Sequence, residues 1–350
     1  VFTQTTESPR GLLEMCMGPW AFKALAVAHD FDLFTLFAER GPLTVREVAD
    51  HLGCARRPVE MLLTANASLG LLEVRDGTFG NAPVADAFLV KGKEQYFGGF
   101  IHQVNRRSYD GWGRLDEAVR SNQPVTWDPA AQKTAFESDP ERVRMMQGAM
   151  HSLSRHSASV IAGVLDLSDS KRLLDVGGSI CAYAIEFARK NPQLEIGVYD
   201  LPAVCELAEA KIDEADLRDR VSAIPGDFLT RELPEGYDTV FLSMILHDWQ
   251  PQECRSLLRK AHRALAPGGR IIINELLVDD DKSGPYDAAM MSLNMLVNTV
   301  GRNYTAAEYA AWLVEAGFSE PERLPVDTVS SNGLLIATRL ASGDSTRATA

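Results

Sequence analysis

A histidine just past the end of a buried strand is well placed to move a proton near neutral pH. His247 stands in Ile245-Leu246-His247-Asp248-Trp249, directly after the apolar run that begins at Asp238 and ends at Ser243. An unperturbed imidazole titrates at about 6.5, so its neutral form can take a proton from a hydroxyl. A solitary histidine is more often structural, but Glu275 changes the weighing. It closes the next apolar run, Ile271-Ile272-Ile273-Asn274-Glu275. From a neighbouring strand end its carboxylate would fix the ring's tautomer and orientation. Other polar groups also sit where apolar runs stop. Leu173-Leu174-Asp175-Val176-Gly177-Gly178 reads as a strand that meets a glycine pair and passes into a helix. Such a turn lets a ligand approach the main chain, with the helix N–H groups aimed at it. Asp200 ends a second run, where a carboxylate either accepts from a ribose or caps the helix after it. Gly226-Asp227-Phe228 ends a third, as a carboxylate and ring for a purine or as a simple turn.

For these groups to converge, the elements behind them must form an open sheet. Strands are expected at 172–177, 194–199, 220–224, 237–243 and 270–276, and helices at 180–190, 203–213, 251–265 and 304–316. This alternation predicts an α/β fold with a doubly wound, largely parallel sheet that presents its ligand site at the carboxyl ends of the strands. Pro267-Gly268-Gly269 reads as a sharp turn from helix to fifth strand, and 320–327 with 332–339 as a closing antiparallel hairpin. Upstream the pattern is helical. An apolar helix spans 11–29, and a short one follows in 31–40. Thr44 caps a third that ends on Gly53, and Arg57-Pro58 opens a fourth. Leu72–Gly80 then reads as a hairpin turning on Asp76-Gly77. Helices followed by such a hairpin make a winged-helix arrangement. Residues 81–165 read as helical with a break at 122–129. Tyr109, Trp112, Met145, Met146, Met150 and His151 cluster there, as core or in part as the lining of an apolar pocket. The expected organisation is a helical domain over 1–165, an α/β domain over 166–340 and a disordered polar tail at 341–350.

Composition narrows the partners. The 350-residue chain carries a formal net charge of −13. The third helix of the winged arrangement has only Arg56 and Arg57 as basic residues, both at its start. Nucleic acid and anionic lipid are therefore disfavoured, and a dimerisation module is favoured over a DNA reader. Five scattered cysteines without a CxxC read as reduced thiols, with no disulfide frame and no metal site. No apolar run reaches the roughly 18 residues of a membrane span, and no signal pattern opens the chain, so a cytoplasmic location is expected.

Together, the Asp175–Gly178 turn, Asp200-Leu201-Pro202, Gly226-Asp227-Phe228, ILHDW, LAPGGRIIINELLV and the late GRNYT and EYAAWLVEAGF segments resemble the S-adenosylmethionine-dependent small-molecule O-methyltransferases. The group is the one shared by plant phenol methyltransferases and bacterial natural-product tailoring enzymes. The resemblance covers nearly the whole chain, and ILHDW with the downstream PGG–strand–Glu is its most specific part. It implies a Rossmann-like sheet with an antiparallel C-terminal hairpin, joined to a winged-helix dimerisation domain and working as a homodimer. It further implies S-adenosylmethionine as cofactor, S-adenosylhomocysteine as product, no metal, and a hydroxyl of an aromatic or polycyclic secondary metabolite as acceptor. By position, Gly177 and Gly178 meet the methionine part of the cofactor and Asp200 and Leu201 the ribose and adenine, with Asp175 also counted to the cofactor site. Gly226, Asp227 and Phe228 flank the adenine, and Ser243, Met244 and Trp249 lie nearby. His247 is the base and Glu275 its orienting partner, with Asn303 at a third catalytic position. Trp112, Met146, Met150, Met291, Asn294, Met295 and Asn298 line the acceptor pocket.

Two departures qualify the pattern. The family turn reads D-x-G-x-G-x-G, and Ser179 and Cys181 replace its last two glycines. A Cβ is tolerated there only if no positive φ is needed and the ligand keeps its room. Asn303, in Val300-Gly301-Arg302-Asn303-Tyr304-Thr305, replaces a carboxylate found in bacterial relatives. The alternative to methyl transfer is therefore a repurposed member of the fold catalysing hydroxylation, decarboxylation or a pericyclic step. A winged-helix regulator is the third reading.

Overall fold

The first helix of the chain, Arg10–Asp30, is followed by Leu33–Arg40, Val45–Leu52 and Arg56–Ser68. The protein is seen here in a computed structural model that describes residues 8–126 and 140–341; the rest of the expected tail beyond Ala341 lies outside the described residues. Local chemistry sets the third helix. The Thr44 hydroxyl accepts from the Glu47 N–H, the Glu47 carboxylate accepts from the Thr44 N–H, and Gly53 ends the helix at φ 63°. Strands β1 (Leu43–Thr44), β2 (Leu72–Arg75) and β3 (Thr78–Asn81) form a small sheet in the order β1-β3-β2. The β2–β3 hairpin turns on Asp76 and Gly77, both at positive φ as a two-residue turn of this hand requires. Leu33, Phe34, Phe37, Val48 and Leu63 fill the core between these elements. Helix Arg10–Asp30 leaves Leu12, Leu13, Met15, Met17 and Trp20 exposed, Trp20 at 69%. The chain divides into two compact units, Val1–Arg106 and Arg107–Ala350. The change from helices to strand–helix alternation comes later, after the helix Pro140–Val164.

The second unit is built on a seven-stranded sheet. Its strands are β4 (Arg172–Val176), β5 (Glu195–Asp200), β6 (Val221–Pro225), β7 (Tyr237–Ser243), β8 (Leu265–Glu275), β9 (Glu322–Thr328) and β10 (Ser331–Thr338). The order is β6-β5-β4-β7-β8-β10-β9. The first five strands in that order run parallel, and β10 pairs antiparallel with both β8 and β9. Parallel strands are covered on both faces, which explains their unbroken apolar runs. Leu173, Ile196, Val198, Phe241 and Ile272 pack one way against helices Pro140–Val164 and Ala182–Lys190. Leu174, Val176, Val240, Leu242, Ile271 and Ile273 pack the other way against helices Pro251–Ala264 and Ala306–Glu315.

One expected element differs. Pro267-Gly268-Gly269 is not a helix-to-strand turn. β8 already begins at Leu265, and its pairing with β7 shifts register between Tyr237 and Thr239. The Gly pair thus serves as an irregularity within an extended segment, with Gly268 at φ 79°. The strand order reverses between β4 and β7, so the crevice for a ligand opens at their carboxyl ends. Asp175 and Gly177 end one of these strands, and Ser243 and Met244 end the other.

Candidate active site

The segment after β7 makes a single tight turn, Leu246–Asp248, and buries His247 to 5% exposure. Glu275, at the end of β8, is buried to 1%. Its Oε2 lies 2.6 Å from His247 Nδ1, and its Oε1 accepts from the N–H groups of Ile245 at 3.1 Å and Leu246 at 3.0 Å. One carboxylate therefore holds both the ring and the backbone that carries it, and Nε2 is not engaged by Glu275. Asp248 Oδ1 stands 3.6 Å from Nε2. Burial alone would lower the imidazole pKa, but the charges of Glu275 and Asp248 outweigh it and raise it to about 9. The neutral ring expected from the unperturbed value is thus the minority form at neutral pH. The loop from Thr299 closes against the same turn. A Cβ on Gly301 would lie 2.2 Å from the His247 carbonyl oxygen and 2.4 Å from the Trp249 nitrogen. Tyr304 Oη donates to the Trp249 carbonyl at 2.6 Å. Asn303, 1% exposed, donates from its amide to the Leu276 carbonyl at 2.7 Å, and its Oδ1 has no partner among the described residues.

Across the crevice, Gly177 takes φ 73°, and Ser179 and Cys181 follow at φ 53° and 69°. The condition that side chains there avoid positive φ is not met. The turn keeps the backbone of the glycine pattern, at about 1–2 kcal/mol for each L-residue so placed. Cys181 hides its side chain in the core, with its thiol 4.0 Å from the Ala208 carbonyl. The Ser179 hydroxyl donates to Oε1 of Gln147. Asp200 Oδ2 accepts from the Ser179 N–H at 2.9 Å and Oδ1 from the Leu201 N–H at 2.7 Å. Burial raises the Asp200 pKa to about 6 against the pull of those N–H groups. Asp175, 1% exposed, is raised to about 8 by burial and then by the Asp200 charge, and its Oδ2 has no partner among the described residues. A Cβ on Gly178 would meet that oxygen at 2.6 Å. Two desolvated carboxylates, one with an unsatisfied oxygen, suit a ligand that brings positive charge and hydroxyl donors. S-adenosylmethionine, a sulfonium nucleoside, meets both requirements.

The remaining predicted residues fall into smaller groups. Phe228 meets Trp249 edge to face at 5.9 Å between centroids. Asp227 caps its own turn, accepting from the Leu229 N–H and the Thr230 hydroxyl. Ser243 Oγ accepts from Asn274 at 2.8 Å. Met244, at φ 55°, donates its N–H to the Asn274 carbonyl. Helix Tyr286–Asn298 packs against the Leu246–Asp248 turn and against Tyr109–Trp112. There Trp112 Nε1 donates to Asn294 Oδ1 at 3.0 Å, which also accepts from Asn298 at 2.9 Å. Asn294 in turn points its amide at Met291 Sδ, 3.8 Å away. Met295 is buried in the helix's inner face, 6% exposed. Met146 and Met150 stand on the helix Pro140–Val164, and Met146 meets Arg107.

A sequence profile described as the O-methyltransferase domain matches residues 112–319, and one described as the O-methyltransferase dimerisation domain matches residues 13–91. The chain belongs to the S-adenosylmethionine-dependent O-methyltransferase family. It is similar to 3-hydroxy-5-methyl-1-naphthoate 3-O-methyltransferase of Streptomyces sahachiroi, with 43% identity over 93% of this chain and 94% of that one. It is also similar to the tetracenomycin polyketide synthesis 8-O-methyl transferase TcmO of Streptomyces glaucescens, with 32% identity over 89% of this chain and 92% of that one. Human N-acetylserotonin methyltransferase, solved in complex with S-adenosylmethionine, matches with a TM-score of 0.87 at 28% identity, over 97% of this chain and 100% of that one. Among the described residues, no cluster of three or more His, Cys, Asp or Glu could hold a metal ion, and no helix is long and apolar enough to cross a membrane.

Reading the methyltransferase sequence alone misses Gln147, Gly301, Asn274 and Tyr304 as supports of the site. Gly301 and Tyr304 stood within the quoted GRNYT segment, and Asn274 one residue before Glu275, so their neighbourhood was visible. Gln147 carried no signal, being one polar residue among the methionines of a helix.

Proposed function

We propose that the enzyme methylates a hydroxyl on an aromatic or polycyclic natural product, with His247 as general base and Glu275 as its positioning partner. When bound, S-adenosylmethionine supplies an electrophilic methyl group. The chain's own task is to hold the acceptor and take its proton. The 2.6 Å His247–Glu275 bond is the observation that carries this reading. It fixes Nδ1 and leaves Nε2 as the atom that accepts the proton. Glu275 and Asp248 then stabilise the imidazolium so formed. A base raised to about 9 also lies near a phenol, for which tyrosine at about 10 is a guide, so transfer between them is close to even. An imidazole at about 6.5 would face a climb of roughly 5 kcal/mol.

Asp200 and Leu201 would hold the nucleoside, with Asp175, Gly177 and Gly178 shaping the turn beneath it. Trp112, Met291, Asn294 and Asn298, on or beside the helix that abuts the His247 turn, would contact the acceptor. The naphthoate and tetracenomycin relatives support a fused-ring acceptor of that kind. The exposed row Leu12, Leu13, Met15, Met17 and Trp20 would be covered by a second copy of the chain, in keeping with the dimerisation-domain match.

Turnover of a hydroxynaphthoate with S-adenosylmethionine tests the activity. Equal amounts of methyl ether and S-adenosylhomocysteine are expected, and an acceptor altered without S-adenosylhomocysteine would point to repurposed chemistry. His247→Ala should lose most of its turnover while still binding S-adenosylhomocysteine; unchanged turnover would remove the base role. Trp20→Glu with Leu13→Glu should shift the mass in solution from dimer to monomer.

A further inference from the structure

We propose that Gln147 is a positioning residue for the cofactor turn, acting through the hydroxyl of Ser179. The inference rests on the reading of that turn as the S-adenosylmethionine site. Ser179 stands at a glycine position of the family pattern and takes a left-handed backbone at φ 53°. A lone L-residue persists in that conformation only where its surroundings fix it. Two hydrogen bonds do so. Its N–H donates to Asp200 Oδ2 at 2.9 Å, and its hydroxyl donates to Oε1 of Gln147. Gln147 is 7% exposed and sits on the helix Pro140–Val164, which packs along Ala182–Lys190, the helix that the turn opens.

The consequence falls on Asp200. Its two oxygens already accept from Ser179 and Leu201, so a ribose would use the lone pairs that remain. With the hydroxyl engaged by Gln147, Ser179 offers Asp200 only its N–H. A hydroxyl released from Gln147 would compete with the ribose for that carboxylate, and the turn would lose one of the two bonds that hold its strained residue. A glycine needs neither support, because it has no hydroxyl to place and adopts positive φ without cost. Gln147 thus compensates, from a distant part of the sequence, for the serine in the turn.

The test is calorimetric titration with S-adenosylhomocysteine. Gln147→Met and Ser179→Ala should each weaken binding about 3- to 10-fold, the worth of one hydrogen bond. Combined, they should cost no more than either alone, because both cut the same bond. Ser179→Gly should bind at least as tightly as the wild type, and Gln147→Met should change nothing further in that background. A Gln147→Met protein that melts earlier yet binds within twofold of wild type overturns the proposal. So does a loss of equal size with and without the Ser179 hydroxyl. Should Gln147→Met fail to fold, equal affinities for Ser179→Ala and Ser179→Gly would overturn it. Absence of binding by the wild type is a separate result, which removes the cofactor reading and this role with it.

Discussion

The two sides of the crevice are finished to different degrees. Around His247, Glu275 spends one oxygen on the ring and the other on two backbone N–H groups, so its own carboxylate is fully engaged, and the Asn303 Oδ1 nearby lacks a partner among the described residues. At the cofactor turn the chain leaves work undone. Asp175 and Asp200 are held above the usual carboxylate range by burial, one oxygen has no partner, and two L-residues sit at positive φ. On the proposed reading, the contrast teaches that the proton-handling pair is held by the chain itself, whereas the carboxylates of the cofactor side would be relaxed by a cationic nucleoside.

If the two sides are separable, substitutions should divide their effects. His247→Ala should lower kcat by about 10²- to 10⁴-fold, the usual worth of a general base, with S-adenosylhomocysteine affinity within twofold of wild type. A comparable loss of binding would join the two sides and break the contrast. Gly301→Ala pushes a Cβ into the backbone of the His247 turn. It should cost about 1–3 kcal/mol of stability in denaturant titration, and kcat should fall with cofactor affinity spared. Gly178→Ala, which presses on Asp175 and Val198, should do the reverse: weaker S-adenosylhomocysteine binding, with kcat largely restored at saturating cofactor.

The smallest expected effect is on stability against pH. Asp200 and Asp175 are raised in the folded state to about 6 and about 8. Their contribution is therefore complete below the ordinary carboxylate pKa and is lost as pH rises through those values. The His247 contribution is complete below about 6.5 and is lost as pH rises through about 9. Between pH 5 and pH 6.5 the buried His151, lowered to about 4, offsets part of this trend, so the melting temperature of the apo protein should fall from pH 6.5 to pH 9. Asp175→Asn should flatten the part of that fall near pH 8, and S-adenosylmethionine should stabilise more at pH 8 than at pH 6. A melting temperature that rises from pH 6.5 to pH 9 would contradict both assignments.

Much of this was legible in the sequence. Apolar runs ending in Asp175, Asp200 and Glu275 placed the carboxyl ends of the parallel strands to within a residue, because strands covered on both faces need unbroken apolar character. The start of β8 was misplaced because Pro267-Gly268-Gly269 has the composition of a turn, while Leu265 before it already pairs with β7 and the backbones of Gly268 and Gly269 bond to Arg339. His247 and Glu275 were readable as neighbours, since both stand at carboxyl ends of adjacent strands. The raised pKa was not, because it depends on the burial of three groups together. Nor could Ser179 be read. Its tolerance of a left-handed backbone depends on a glutamine thirty-two residues earlier, brought close only by packing between helices.

The dependence of kcat/KM on pH, compared between the wild type and Glu275→Gln, puts the assignment of His247 at greatest risk. With His247 as a base raised by Glu275, the wild-type value should climb about tenfold per pH unit from pH 6 and level off near pH 9. Glu275→Gln should be slower at its plateau and level off at least one unit lower. A flat profile in both proteins, or the same inflection in both, would contradict the account.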